Sequence, residues 1–247
     1  MTFLDCVSVA NMRESDRKTI ENHVPGLTLM YRAAMGVYRA AEWHGDIAIA
    51  VGSGNNGGDG FALAYILKSK GIDCRVITLS NKLSPDSAHF AEKAKALGVP
   101  VAPYADGAFS GSDIIVDCLL GTGFHGAVRE PYASAIREIN AAGAYVVSVD
   151  INSGMNGDTG EADLAVRSDL TVTVGFVKNG MLVANAGDCM KRLVITDIGI
   201  VLDREENKIA DPWREEYAAR GSILRRPVYL DMNPVDTRDV EYSGDNT

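Results

Sequence analysis

Three polar side chains, Asn55, Asn56 and Asp59, stand in a loop otherwise almost stripped of them, Gly52-Ser53-Gly54-Asn55-Asn56-Gly57-Gly58-Asp59-Gly60, between an apolar run at 47–51 and a helical pattern at 58–70. A glycine loop between strand and helix offers backbone N–H groups to an anion, so phosphate binding is the first chemistry to weigh. A phosphate P-loop needs a lysine and a hydroxyl after its last glycine; here Gly58 and Asp59 follow, and a carboxylate would repel the phosphate. The dinucleotide fingerprint G-x-G-x-x-G fits Gly52, Gly54 and Gly57. It also expects an acidic residue about 20 positions on for the ribose hydroxyls, and the second apolar run ends near Leu79 without one. An NADP variant using Asn81 or Lys82 stays open. A purely structural turn explains the glycines but not the two amides and the carboxylate, so a ligand-binding loop is the better reading.

Asp117 interrupts the apolar run 114–120, where a buried carboxylate is costly unless hydrogen-bonded or paired with a cation. Both explanations fit at this point. The run leads into a second glycine-rich loop, Gly121-Thr122-Gly123-Phe124-His125-Gly126, whose N–H groups could also meet an anion. His125 alone reads as a solvated loop residue rather than a base. A third run, 145–149, delivers Asp150 and then Ser153. If these runs are parallel strands, Asn55 to Asp59, Asp117 to Ala127 and Asp150 to Ser153 converge on one sheet edge. Carboxylates, amides and a hydroxyl gathered there suit a hard, weakly charged cation and a polar substrate carrying hydroxyls.

The elements that would position them alternate along the chain. Apolar runs at 47–51, 74–79, 114–120, 145–149, 170–176 and 193–198 are short, rich in Val and Ile and continuously apolar, as strands buried on both faces are. Helical patterns at 58–70, 85–97 and 131–142 connect them, which requires parallel pairing and right-handed crossovers. Two further helices are expected at 8–23 and 27–43, broken by "HVPG". The expected fold is therefore a Rossmann-like three-layer αβα sandwich with a mostly parallel central sheet and an N-terminal helical extension. Residues 1–202 form that domain; residues 203–247, charged and proline-containing, are expected to be a partly flexible appendage with at most one short helix around 212–220.

At 247 residues and 46% hydrophobic content the chain can bury a substantial core. A net charge of -9 without a cluster of basic residues argues against nucleic acid and anionic membranes. Four scattered cysteines, Cys6, Cys74, Cys118 and Cys189, form no C-x-x-C pair and read as reduced, mostly buried thiols. With no signal-peptide pattern at the N-terminus and no run near 20 apolar residues, a cytoplasmic protein is expected.

The segments "GSGNNGGDGFALA", "VDCLLGTGFHGAVREPY", "VVSVDINSGMNGDTGE", "TVTVGFVKNG" and "LVITDIGI", with "LMYRAA" near the N-terminus, together resemble the YjeF N-terminal domain family over roughly residues 12 to 200. These are the NAD(P)H-hydrate epimerases, apolipoprotein A-I-binding protein-like. The resemblance implies a usually dimeric isomerase that interconverts the R and S forms of hydrated NADH or NADPH (NADHX, NADPHX) in cofactor repair, alongside a dehydratase that uses the S form. It implies substrate contacts through Asn55, Asn56, Gly57, Gly58 and Asp59, through Gly121 to Ala127 (Gly121, Thr122, Gly123, Phe124, His125, Gly126, Ala127), and through Tyr132 and Asp150. It implies a potassium ion held by Asn56, Asp117 and Ser153, with Asp150 as general acid/base and Lys178 in electrostatic support.

Two departures stand out. Asn152 replaces a usual proline, so the turn presenting Ser153 is expected to be looser, and Ala34 replaces a common glycine at an expected tight helix contact. No fused dehydratase domain is expected within this length. Two other classes compete: a non-catalytic dimerising scaffold, as in enhancer-of-mRNA-decapping proteins, which has no need to keep Asn56, Asp117, Asp150 and Ser153 together, and a conventional nicotinamide dehydrogenase, which the missing acidic residue disfavours.

Overall fold

The apolar runs become strands because Val, Ile and Ala fill a pleated surface on both sides. In a computed structural model that describes residues 3–204, 207–210 and 228–231, the elements run in the order β1 (Phe3–Val7), α1 (Val9–Asn22), α2 (Gly26–Ala40), β2 (Ile47–Val51), α3 (Asn55–Ser69), β3 (Arg75–Thr78), α4 (Pro85–Ala96) and β4 (Val101–Pro103). They continue with β5 (Ile114–Cys118), α5 (Tyr132–Ala141), β6 (Tyr145–Val149), β7 (Leu170–Val174), β8 (Val177–Lys178), two short 3₁₀ turns, β9 (Leu193–Thr196), β10 (Asn207–Ala210) and β11 (Val228–Asp231).

The main sheet has eight strands in the order β11-β9-β7-β6-β5-β2-β3-β4, and every neighbouring pair is parallel. The chain winds outward from β2 to β4, then returns to β5 and winds the other way. This reversal opens a crevice beyond the carboxyl ends of β2 and β5, where ligands bind in open α/β sheets. One sheet face, with Ile49, Val51 and Val116, packs under α2, α3 and α4 through Phe61, Leu67 and Phe90. The other, with Ala48, Ala50 and Ile115, packs under α5 through Ile136 and Ile139 and against Phe109. Each such fully buried large side chain contributes about 1.5–3 kcal/mol.

Several elements differ from expectation, each for a local reason. Helix α3 begins at Asn55 rather than near 58, which places Asn55, Asn56 and Asp59 on the helix itself. Strand β7 stops at Val174 because Gly175 adopts φ 72° and turns the chain into β8. Three short strands lacked a readable pattern: β1 and β8 belong to a separate small sheet, β10-β1-β8, and β4 is a three-residue edge strand ending in Pro103. Helix α2 is a member of the layer over the sheet rather than an extension. Its tight approach falls at Gly36, where an added Cβ would sit 1.9 Å from Thr196 Oγ1; the buried Ala34 methyl takes a place in the apolar cluster under the layer. Beyond residue 202, β10 pairs antiparallel with β1 and β11 pairs with β9, so these pieces complete the two sheets. The helix expected around 212–220 lies outside the described residues. Among the described residues, no helix is long and apolar enough to cross a membrane.

Candidate functional site

The crevice holds a cavity of about 680 Å³. Its floor comes from the carboxyl ends of the central strands and its walls from α1, α2 and the first turns of α3. Asn55, Asn56 and Asp59 line it from α3, and Asp150 lines it from the end of β6. Gly121, Thr122, Gly123, Phe124 and His125 line it from the loop after β5. The convergence expected from the three loops is therefore present.

Other expected residues sit around this space rather than in it. Gly57 and Gly58 are buried behind the first turn of α3, where they allow close packing: a Cβ at Gly57 would meet Gly52 O at 2.3 Å, and one at Gly58 would meet Met30 and Ser87 at 2.5 Å. Gly52 is likewise needed against Leu119 O, 1.9 Å from where its Cβ would be. Several of the glycines that produced the fingerprint are thus packing glycines. Gly126, Ala127 and Tyr132 line a neighbouring hollow of about 290 Å³ that shares Phe124 and His125 with the main cavity.

Asp117 is fully buried and accepts four hydrogen bonds: from Leu119 N at 3.2 Å, Ser148 Oγ at 2.9 Å, Ser153 N at 2.9 Å, and the Ser153 hydroxyl. Burial still pushes its carboxyl above the ordinary range, with these bonds pulling the other way. Ser153 Oγ also accepts from Leu120 N at 2.8 Å. Asn56 Nδ2 donates to Leu120 O at 3.1 Å, while Asn56 Oδ1 is buried without a hydrogen-bond partner among the described residues. An unpaired buried carbonyl oxygen is costly, and a cation beside it would remove that cost. Among the described residues, no group of three His, Cys, Asp or Glu is placed to hold a metal. The donor set available here, one carboxylate with neutral oxygens of Asn56, Leu120 and Ser153, suits a weakly held hard cation.

Lys178 ends β8 in register with Val7 of β1 and is wholly buried. Its ammonium donates to Thr173 Oγ1 at 2.9 Å, to Val174 O at 3.0 Å and to Asp150 Oδ1. Asp150 holds a left-handed backbone, φ 67°, which Asp tolerates better than most residues and which orients it off the end of β6. All its side-chain hydrogen bonds, including one from Val174 N at 3.4 Å, fall on Oδ1. Among the described residues the second oxygen of this cavity-lining carboxylate is thus uncommitted.

The helix expected at 8–23 is present as α1 (Val9–Asn22), but sequence reasoning missed its part in the cavity. Its face of Met12, Asp16 and Ile20 lines the cavity, together with Arg13. Asp16 breaks an i, i+4, i+8 apolar stripe, a signal of the same kind that singled out Asp117. The carboxyl of Asp59 is pushed well above its ordinary value by burial, then by the charges of Asp150 and Asp16, with Lys178 opposing. Asp16 is raised for the same reasons, burial first. The carboxyls of Asp16, Asp59 and Asp150 thus gather on the lining of one cavity, groups of the kind that serve as acid and base. Cys6, Cys74 and Cys118 are unsuited as nucleophiles: burial raises Cys6 and Cys74 to about 12, and Cys118 is wholly buried and raised well above its ordinary value.

Asn152 corrects an expectation. Fully buried, it donates to Val166 O at 2.9 Å, Ser168 Oγ at 3.0 Å and Cys189 O at 2.8 Å, and accepts from Thr171 Oγ1 at 2.7 Å. The turn before Ser153 is pinned by side-chain hydrogen bonds where a proline ring would have fixed φ; it is not loose.

A family model described as YjeF-related protein N-terminus matches residues 26–180. An NAD(P)H-hydrate epimerase of Limosilactobacillus fermentum is 36% identical over 200 residues, 77% of this chain and 95% of that protein. A bifunctional NAD(P)H-hydrate repair enzyme of Coxiella burnetii is 34% identical over 196 residues, and the match spans only 40% of its length. The crystal structure of yeast ynu0 superposes with a TM-score of 0.65 at 22% identity, covering 72% of this chain and 83% of that one, and so supports the fold.

Proposed function

From the premise that the chain belongs to the YjeF-related N-terminal family, we propose that it is an isomerase, an NAD(P)H-hydrate epimerase acting on NADHX and NADPHX. The observation that carries the chemistry is the Asp150–Lys178 pair, whose carboxylate lines the cavity while the ammonium is buried behind it. Inverting the hydrated carbon of the nicotinamide ring requires a bond there to break and re-form, by loss and return of the hydroxyl or by ring opening. Either route needs a proton donor and acceptor at that atom. Asp150 serves as that acid/base through the oxygen that Lys178 leaves uncommitted. Lys178 is a positioning residue, holding Oδ1 of Asp150.

Asn55 and Asp59, one helical turn apart on α3, face substrate hydroxyls. The N-cap of α3 is Gly54, with no side chain to cap the helix, so the first-turn amides of Asn55, Asn56 and Gly57 are available to an anionic group. Potassium fits the orphaned Asn56 Oδ1, with Asp117, Ser153 and the Leu120 carbonyl completing its oxygens. When bound, it would lower the negative potential of a carboxylate-rich cavity toward a dinucleotide. A homodimer and a functional partnership with a dehydratase consuming the S form accompany this reading; the two-activity name of the Coxiella relative supports the partnership.

The test is direct. NADHX depleted of its S form by an S-specific dehydratase is followed by chromatography in potassium buffer with and without purified protein. Protein-accelerated return of the S form is expected; return at the uncatalysed rate refutes the assignment.

A further inference from the structure

The lining of the cavity is short of positive charge for a dinucleotide. Four aspartates, Asp16, Asp59, Asp86 and Asp150, face it, and Lys178 is spent behind Asp150. Besides His125, the basic side chain on the lining is Arg13, and it alone is charged at every working pH.

We propose that Arg13 is the clamp for the pyrophosphate of the substrate, a specificity-determining residue on α1; the identity of the ligand rests on the epimerase reading. The neighbouring Arg17 shows how this helix holds an arginine that faces away from the cavity, with Glu14 and Glu21 gripping it at 2.7 and 2.6 Å. Arg13 has no carboxylate within ion-pair distance among the described residues. Among the described residues its one hydrogen bond is from Nη2 to Thr122 O at 3.3 Å, leaving most of the guanidinium fork unused.

That contact fixes where the fork lies. Nη2 is 3.5 Å from where a Cβ of Gly123 would be, so the guanidinium rests on the glycine-rich loop after β5. The loop backbone, the fork and the uncapped amides of α3 border one cavity. A planar fork offering parallel N–H donors matches two adjacent phosphate oxygens in a way a lysine ammonium does not. Helix α1 is held in register by Ser8, whose Oγ accepts from Asn11 N at 3.1 Å, and by Asp158 Oδ1, which accepts from Val9 N at 2.7 Å. The clamp is therefore delivered by a fixed element.

The test uses ligands with no hydrated nicotinamide, so its outcome is independent of whether the protein epimerises anything. ADP-ribose, its 2′-phosphorylated form and adenosine are titrated against the parent, Arg13→Ala and Arg13→Lys by calorimetry, with saturation-transfer NMR for adenosine. In Arg13→Ala the Kd for both pyrophosphate ligands should rise on the order of tenfold to a hundredfold. Arg13→Lys should recover only part of the loss, and adenosine binding should be unchanged. Failure of the parent to bind ADP-ribose, an unchanged Kd in Arg13→Ala, an equal loss for adenosine, or a loss confined to the 2′-phosphorylated ligand would each overturn the assignment.

Discussion

Replacing Asp150 with Asn isolates the charge of the floor carboxylate. Asn is isosteric and, like Asp, tolerates the left-handed φ of 67° found there, so the substitution adds little backbone strain. What it removes is the anion facing a fully buried ammonium, in a pair whose side chains are 0% and 16% exposed. Breaking a buried ion pair from one side costs about 3–5 kcal/mol. Lys178 keeps Thr173 Oγ1 and Val174 O, which favours the lower end, about 3 kcal/mol. At about 2–4 °C per kcal/mol for a chain of this size, Tm should fall by about 6–12 °C. Lys178→Met should cost less, because the Asp150 left behind borders the cavity and can hydrate. The double variant should melt above Asp150→Asn, since it no longer buries an unpaired charge. Thermal unfolding followed by circular dichroism, with urea midpoints as a second reading, measures all four proteins. An Asp150→Asn variant melting within about 2 °C of the parent, or strictly additive losses in the double variant, would refute the coupling argued here.

Asp59 carries a pH signature. Because its folded pKa is raised above the ordinary 3.8, the folded state binds this proton more tightly than the unfolded chain. Its contribution is fully present below the ordinary pKa and is lost as pH rises through the raised value. Asp59→Asn, neutral throughout, should therefore stabilise the protein at about pH 8 and give no gain at about pH 4, read as Tm differences across pH. Asn152→Ala should destabilise by about 2–3 kcal/mol in urea unfolding, because Thr171, Ser168 and the Val166 and Cys189 carbonyls lose their shared partner. Potassium chloride should raise the parent's Tm relative to choline chloride at equal ionic strength, and Asn56→Ala, lacking the orphaned oxygen, should lose that increment.

The sheet was legible because its strands are continuously apolar and its crossovers long enough to be helices; the positions of Asp117 and Asp150 at neighbouring strand ends followed from that alone. The small sheet was not legible, since β1 and β8 are short and take their pairing from each other and from β10. The glycine loop was legible as a ligand loop through its amides and carboxylate, but the packing duty of its glycines was not: Gly52, Gly57 and Gly58 sit against Leu119, Gly52 O and Met30. Asp16 and Arg13 were hidden because a charged residue on a helix ordinarily faces water. Only the docking of α1 over the crevice turns them inward. Asn152, read as a weakness from the loss of proline, proved to be a hydrogen-bonded peg because burial gave its amide four partners.

The claim that Asp150 performs proton transfer in a cavity built for NADHX is tested most directly by measuring R/S interconversion and substrate binding on the same preparations of parent and Asp150→Asn, at a temperature where both are folded. The account predicts that the variant binds NADHX within a few-fold of the parent yet exchanges the two forms about 100-fold or more slowly. Equal exchange rates in the two proteins, with binding intact, would contradict it.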